Sequence, residues 1–160
     1  MKNILYILTF FLIISCNDRP KTVKYFDEEI GEYVIDTLPY NDIRDFPSIK
    51  ASKSSDSLIA GIIKQDYVFE KYIGIGGAYP EQYARFERLT ELLTEKQMLE
   101  LTRHENPVVR VYAFKGLLNE KSEFVNEAIK ILEKDTTKFS HGAGCMLGTY
   151  RVSEYIKQPE

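Results

Sequence analysis

The chain has no tryptophan, only two cysteines among its 160 residues, and no excess of basic side chains. The cysteines are Cys16 and Cys145, so a framework of several disulfides is excluded. Lysine and arginine together number 21 against 24 acidic residues, giving a formal net charge of -3. Because proteins that bind nucleic acid present a basic face to the phosphates, this balance argues against a nucleic-acid partner.

The apolar run near the start of the chain is too short to cross a membrane. It extends from Ile4 to Ile14, with Thr9 inside it, whereas a transmembrane helix needs about 20 apolar residues. Lys2 precedes the run, and polar residues follow from Asn17 onward. A basic start, a short apolar region and an abrupt polar boundary are typical of a signal peptide, which we predict over residues 1–15.

Directly after this run come Ile13, Ile14, Ser15 and Cys16, which resemble the lipobox of bacterial lipoproteins. The resemblance implies that Cys16 carries diacylglycerol through a thioether, that the signal is cleaved before it, and that the new amino group is acylated. Each buried methylene contributes about 0.8 kcal/mol, so more than one acyl chain gives stable anchoring. We therefore expect a lipid-anchored protein of the cell envelope, at the periplasmic face or the outer surface of a bacterial membrane.

Residues 16–50 lack a sustained helical period and contain Pro20, Pro39 and Pro47. Two interpretations stay open for this segment. One is an extended linker arm, which prolines at these spacings favour, and the other is a small hairpin around Gly31. We prefer the arm, as a tether between the lipidated cysteine and a domain over residues 51–160.

From Ser54 to the end of the chain, apolar residues recur at helical spacing. Thr94 with Gln97 forms a capping-box pattern, and Asn106 followed by Pro107 is typical of a helix start. The first helix is predicted to bury one face and to end at the glycines from Gly74; that face contains Leu58, Ile59, Ile62, Ile63 and Tyr67. A last helix is predicted from about Leu147 to Ile156.

These segments predict six short helices arranged as about three antiparallel pairs, and hence an all-α fold. Pro80 and Pro107 recur at nearly the same interval as the predicted caps Thr94 and Ser122. A constant interval of this length is typical of stacked repeats, in which each unit covers the apolar face of the next.

The segment 106–117 resembles the second helix of a HEAT-like repeat, with matches at Pro107, Val109, Arg110, Ala113 and Leu117. One repeat, from about Glu95 to Asn119, carries this motif. The whole region from Ser54 is also similar to HEAT-like envelope lipoproteins of Bacteroidetes-type bacteria, a resemblance that implies a fold and no activity. The motif assigns Arg110 a structural role, bonded to carbonyls or a carboxylate at the neighbouring turn.

Few residues offer chemistry beyond structure. His141 and Cys145 are four residues apart and would share one face of a helix, but zinc needs three or four ligands and a catalytic thiol needs an orienting third group. His104 is distant in sequence. The glycines around His141 favour a loop that leads into the last helix, with Cys145 as a small buried side chain. We predict neither a catalytic residue nor a metal or other cofactor.

Two further patterns are explained by local structure, without a binding or catalytic site. The glycines at Gly74–Gly77 lack the lysine and hydroxyl residue of a phosphate-binding loop, and we interpret them as a helix stop. The carboxylates of the middle region are predicted to pair on solvent-exposed faces with nearby bases; they are Glu81, Glu87, Glu91 and Glu95, with Arg85, Arg88 and Lys96.

Taken together, the sequence predicts a membrane-anchored, non-enzymatic module that binds or scaffolds another envelope protein. Two alternatives stay open: a structural subunit or immunity-type lipoprotein of an envelope complex, and an enzyme that uses His141 and Cys145.

Overall fold

The structure, a computed structural model, describes residues 21–27, 32–38, 42–74 and 76–157. These ranges contain a mixed α/β fold whose elements are, in chain order, β1 (Lys21–Asp27), β2 (Glu32–Leu38), a 3-10 turn (Ile43–Asp45), α1 (Pro47–Lys50), α2 (Ser55–Gln65), β3 (Tyr67–Ile73), α3 (Glu81–Leu92), α4 (Glu95–Leu101), α5 (Pro107–Asn119), α6 (Val125–Leu132), β4 (Lys138–Gly144), β5 (Met146–Arg151) and α7 (Val152–Tyr155). The predicted signal peptide and Cys16 lie outside the described residues.

The preference for an extended N-terminal arm is wrong, because β1 and β2 form an antiparallel hairpin. Their register runs from Lys21 opposite Leu38 to Asp27 opposite Glu32. Both strands are rich in β-branched and aromatic residues, which favour extended pairing.

The first long helix ends earlier than its apolar pattern predicted. Asp66 adopts a left-handed backbone conformation with φ of 53° and ends α2 after Gln65. Tyr67, expected on the helix, instead begins strand β3. The spacing of Tyr67 continued the helical period, but the segment from Tyr67 to Ile73 is dominated by aromatic and β-branched residues that favour a strand.

A three-stranded mixed sheet, in the order β3-β4-β5, overturns the expected all-α fold. Strand β4 runs parallel to β3 and antiparallel to β5, with which it forms a hairpin closed at Gly144 and Cys145. The region around His141 was expected to be a loop followed by a helix from Leu147. Only Val152–Tyr155 is helical there. The strand that pairs with β4 across a parallel ladder lies far upstream in sequence, so a local pattern does not reveal it.

Helix α5 lies at the centre of the packed core. Its buried residues occupy every side of the helix rather than one stripe, which is typical of a helix surrounded by other elements. It contacts α2, α3, α4, α6, β3 and β4. The residues buried on it are Val108, Val109, Val111, Tyr112, Ala113, Phe114, Lys115, Gly116 and Leu117.

The local helix signals around α4 and α5 are confirmed, although the repeat stack is wrong. Thr94 and Gln97 form the capping box of α4, and Asn106 caps α5 with Pro107 in its first turn. The HEAT-like motif thus lies on one helix pair, α4 and α5. The chain then enters α6 and the β4–β5 hairpin instead of repeating the unit, because the segment after α6 supplies strands to the sheet.

The packed unit also includes residues upstream of position 51. Ile49 in α1 is buried, and the ring of Phe46 lies 6.3 Å from that of Tyr79. No helix in the described part of the chain is long and apolar enough to cross a lipid bilayer.

Tyr112 joins the central helix to the edge of the sheet. Its buried hydroxyl accepts a hydrogen bond from the main-chain N–H of Phe69 at 2.8 Å and donates one to the Phe69 carbonyl at 3.2 Å. A single side chain therefore satisfies both main-chain groups of Phe69 on the side of β3 away from β4, where the described part of the chain provides no further strand.

We expect Tyr112→Phe to lower the free energy of unfolding by about 1–3 kcal/mol, because it leaves a main-chain N–H without its partner. Urea unfolding of the full chain measures this effect. The control is Tyr67→Phe, since the Tyr67 side chain is partly exposed and should tolerate the change within about 0.5 kcal/mol. Equal effects of the two substitutions would contradict the role given to the Tyr112 hydroxyl.

Candidate functional site

The most concentrated group of ionisable side chains surrounds the carboxylate of Glu70, between the sheet and the helices. Lys115 Nζ donates to Glu70 Oε2 at 2.5 Å. His141 Nε2 lies 3.1 Å from Oε1 of the same carboxylate, and the hydroxyl of Tyr155 donates to that oxygen at 3.3 Å. We call these four residues the Glu70 cluster.

Four different elements bring the Glu70 cluster together. Glu70 and His141 lie on the neighbouring parallel strands β3 and β4, two residues out of register, since Val68 is the partner of His141. Lys115 comes from α5 and Tyr155 from α7. The imidazole of His141 is enclosed by aromatic rings, with the centroid of Tyr155 at 5.3 Å and that of Tyr150 at 5.5 Å.

The charges around Glu70 determine its protonation. Burial of the carboxylate by itself raises its pKa, but the hydrogen bonds and charges of His141 and Lys115 outweigh burial and lower the pKa from 4.5 to about 2. Glu70 is therefore ionised at neutral pH. The side chains of Lys115, His141 and Glu70 are 7%, 11% and 18% exposed, so the ion pair is largely shielded from water.

Sequence reasoning missed Glu70, Lys115 and Tyr155. Two signals for them were present in the chain. Glu70 is an acid inside an aromatic and β-branched stretch, and Lys115 is a base in the middle of a helix whose other residues are almost all apolar. A buried acid and a buried base each require an opposite charge, and the fold joins them.

The structure does not bring His141 and Cys145 together. Cys145 is exposed in the turn between β4 and β5 rather than buried as expected, and His141 points to the Glu70 carboxylate. Cys145 lies beyond the end of β4, after Gly144, whereas His141 lies within the strand. On a helix the same spacing would have placed the two side chains side by side.

Arg110 and His104 stabilise the turn before α5. Arg110 donates to the carbonyls of His104 and Glu105, both at 2.7 Å, and to the Asp135 carboxylate at 2.8 Å. His104 Nδ1 accepts the main-chain N–H of Asn106 at 3.0 Å. The hydrogen bonds expected for Arg110 from its motif are thus present. Arg110 and His104 both form hydrogen bonds with main-chain groups around the start of α5.

The remaining motif residues on α5 are packing residues. Val109, Ala113 and Leu117 are each no more than 1% exposed, and Pro107 occupies the first turn. The Gly74–Gly77 segment follows a strand rather than a helix, so it does not end a helix as expected; Gly77 N–H donates to the Gly74 carbonyl at 3.1 Å.

The acids of the middle region only partly follow their expected pairing. Arg85 binds Glu81 at 2.5 Å and Arg88 binds Glu91 at 2.6 Å. The other two acids have different partners. Glu87 accepts the Tyr79 hydroxyl at 2.6 Å, and Glu95 accepts the hydroxyl of Ser122, the residue expected to cap a helix.

An open groove lies where the end of α3 and the start of α4 face the end of α5 and the residues before α6. Its volume is about 600 Å³, within the range of ligand sites, which is about 300–1,000 Å³. The groove has an acidic rim with one lysine, Lys96. It is lined by Thr90, Leu93, Thr94, Glu95, Lys96, Glu120, Glu123 and Phe124.

Beneath the groove, a smaller apolar recess reaches the core at Met98, Gly116 and Leu117. A Cβ atom at Gly116 would lie 2.3 Å from Met98 Cε and 3.1 Å from Thr90 Cγ2, so a larger residue there would displace the end of the Met98 side chain. The hydrogen bond from Ser122 to Glu95 ties the two walls together. The groove therefore combines apolar side chains at its base with negative charge at its rim.

Among the described residues, no group of three or more histidine, cysteine, aspartate or glutamate side chains is arranged to hold a metal ion. No protein-family model matches the chain. Comparison with curated proteins finds no match either.

We expect Glu70→Gln to destabilise the fold by about 3 kcal/mol at neutral pH, because it leaves the buried ammonium of Lys115 without its counter-charge. Urea unfolding of the full chain measures this loss. Glu91→Gln is the matched control, since Glu91 pairs with Arg88 at an exposed position and its loss should cost no more than about 1 kcal/mol.

Comparison of the native chain with Glu70→Gln at two pH values tests the pKa of Glu70. The folded-state pKa of about 2 lies below the ordinary value of 4.5, so the stability that ionised Glu70 contributes is complete above pH 4.5 and is lost as the pH falls towards 2. The difference in unfolding free energy between the native chain and Glu70→Gln should therefore be smaller at pH 3 than at pH 6. A difference that does not change between these two pH values would show that the pKa of Glu70 is not lowered.

Proposed function

We propose that this chain is a lipid-anchored, non-enzymatic module of the bacterial cell envelope that binds a segment of another envelope protein. The anchor is the lipid on Cys16, expected from the lipobox resemblance. The binding site is the groove between the α3–α4 and α5–α6 junctions, which is the observation that carries the proposal.

The chemistry of the groove defines the kind of segment that fits. Leu93 and Phe124 offer apolar surface, while Glu95, Glu120 and Glu123 place three carboxylates against the single ammonium of Lys96. A segment with an apolar side chain flanked by lysine or arginine complements both features. Apolar contact at the base supplies most of the affinity, and the rim charges supply orientation and a faster encounter.

Features of the Glu70 cluster support a binding function over an enzymatic one. Lys115 and His141 both bind Glu70, and their side chains are at most 11% exposed. The thiol of Cys145 lies in the exposed turn between β4 and β5. We therefore assign the cluster to holding the sheet against α5.

A photo-crosslinking amino acid placed at Glu123, on the rim, tests the binding site in intact native cells. We expect one adduct of defined mass from this position and none from the same amino acid at Glu133, an exposed residue of the α6 C-terminus that does not line the groove. Equal labelling from both positions, or none from Glu123, would contradict the assignment.

A charge reversal on the groove rim tests whether the acidic side chains contribute to binding. With the crosslinker at Glu123, Glu120→Lys should lower the adduct yield a few-fold, because an exposed ion pair contributes about 0.2–1 kcal/mol. Glu133→Lys should leave the yield unchanged. If both reversals had the same effect, net charge rather than the groove would explain the binding.

The anchor is tested separately by Cys16→Ser. We expect this substitution to release the chain from the membrane fraction or to leave its signal uncleaved, because the thioether to diacylglycerol can no longer form. Fractionation of cells, with Cys145→Ser as the matched control, measures this. A Cys16→Ser chain that is processed and still membrane-bound would disprove lipid anchoring at Cys16.

A further inference from the structure

Two uncharged turns meet at one end of the three-stranded sheet. The stretches 72–80 and 142–150 contain no charged residue. The N–H of Gly74, after β3, donates to the carbonyl of Gly144, in the β4–β5 turn, at 2.7 Å. We call Gly74 together with Gly144–Leu147 the apolar tip.

The apolar tip exposes its largest side chains to solvent. Met146 is 74% exposed and Leu147 is 73% exposed, the two highest values among the large apolar residues of the described chain, and Cys145 between Gly144 and Met146 is also exposed. These exposed apolar side chains lie in a stretch without charged residues and form a candidate contact surface for a partner or a membrane.

The length of the N-terminal segment limits how far the domain can stand from a lipid on Cys16. Lys21 and Leu38 are opposite each other in the β1–β2 hairpin, so the chain between them adds only one inter-strand step to the tether. Five residues from Cys16 to Lys21, this step, and four residues from Leu38 to Asp42 span at most about 40 Å. That is close to the domain's own diameter of about 35 Å.

The tether also enters the domain at the end that carries the apolar tip. Asp42 precedes the 3-10 turn and α1, and Phe46 between them contacts the ring of Tyr79 at a centroid distance of 6.3 Å. Tyr79 directly follows the turn from Gly74, which is closed by the main-chain pair of Ile73 with Ala78. The point of attachment and the apolar tip are thus joined by one short set of contacts.

We propose that the apolar tip inserts into the interfacial layer of the same lipid bilayer that holds the chain through Cys16. This inference rests on the lipid anchoring in the proposed function. Two apolar side chains are too few to recruit a free protein to a membrane. The anchor, however, keeps the point where the chain enters the domain, at Asp42, within about 40 Å of the lipid surface, and insertion becomes an intramolecular step.

Lipid is the occupant that the composition of the tip favours. A protein partner usually meets a polar rim with charged side chains around an apolar centre, and the stretches that form the tip contain no charged residue. Tyr72, 49% exposed and in contact with Tyr79, lies beside the tip, and tyrosine is enriched where a protein meets the headgroup layer.

The native Cys145 provides the test. In the lipidated chain Cys16 is blocked, so a thiol-reactive, environment-sensitive fluorophore labels Cys145 alone. The labelled full-length lipoprotein is reconstituted into phosphatidylethanolamine–phosphatidylglycerol vesicles, with or without spin-labelled lipid, and floated on a density gradient. The control carries the probe at an exposed position of α6, in the variant Cys145→Ser with Lys130→Cys.

We expect the protein to float with the vesicles, and the Cys145 probe to be quenched by spin-labelled lipid while the Lys130→Cys probe is not. Adding Met146→Asp and Leu147→Asp to the Cys145-labelled chain places two carboxylates in the lipid-facing tip. We expect each to weaken insertion about tenfold, which corresponds to ~1.4 kcal/mol. Both residues are exposed, so an unchanged thermal midpoint checks that the fold is intact.

Each other outcome overturns the inference in a recognisable way. Flotation without quenching at Cys145, or equal quenching at both positions, disproves insertion of the tip and leaves the anchor standing. Quenching that survives the two aspartates disproves the role of Met146 and Leu147. Failure to float disproves the lipid anchor, and insertion of the tip is disproved with it.

Discussion

The carboxylate of Glu70 is the contact on which the arrangement of the sheet depends. It binds Lys115 on the central helix, His141 on the neighbouring strand and Tyr155 on the last helix, so one side chain joins four elements that are far apart in sequence. A buried carboxylate without these partners would be costly, and so would the ammonium of Lys115. Because each of the two buried charges requires the other, their pairing fixes the position of β3 along α5. A purely apolar interface would fix this position less strictly.

Tyr112 complements this contact one turn earlier on α5. Its hydroxyl forms hydrogen bonds with the main-chain N–H and carbonyl of Phe69, the residue directly before Glu70. Helix α5 therefore contacts β3 through the side chain of Glu70 and through the main chain of Phe69. On the other side of β3, Gly142 allows the Phe69 ring to lie close over β4, since a Cβ atom there would come within 2.7 Å of the ring. Strand, helix and hairpin thus meet at two consecutive residues of β3.

The sequence predicts the local features of this fold and fails at its long-range ones. Helix starts at Thr94 and Asn106 depend on side chains within three residues of the cap, and they were found. The strands of the three-stranded sheet were missed because their signals compete with helical ones. Tyr67 continues the period of α2, and the left-handed conformation of Asp66 that breaks this period has no strong sequence mark. For the same reason the Glu70 cluster escaped notice. His141 was considered against Cys145, its neighbour on a helix, whereas its partner on the parallel strand lies far upstream in the chain.

In the proposed lipid-anchored protein, the pairing of β1 with β2 shortens the tether. An extended arm of the same length would let the domain move well away from the membrane, whereas the pairing of Lys21 with Leu38 shortens the path to about 40 Å. In the proposed lipid-anchored protein, the point of entry near Tyr79 favours approach to the lipid by the end that carries Met146 and Leu147. The acidic groove is formed by other elements, at the ends of α3 and α5. Because separate residues form the tip and the groove, the two proposed contacts, with lipid and with a protein segment, do not compete for the same side chains.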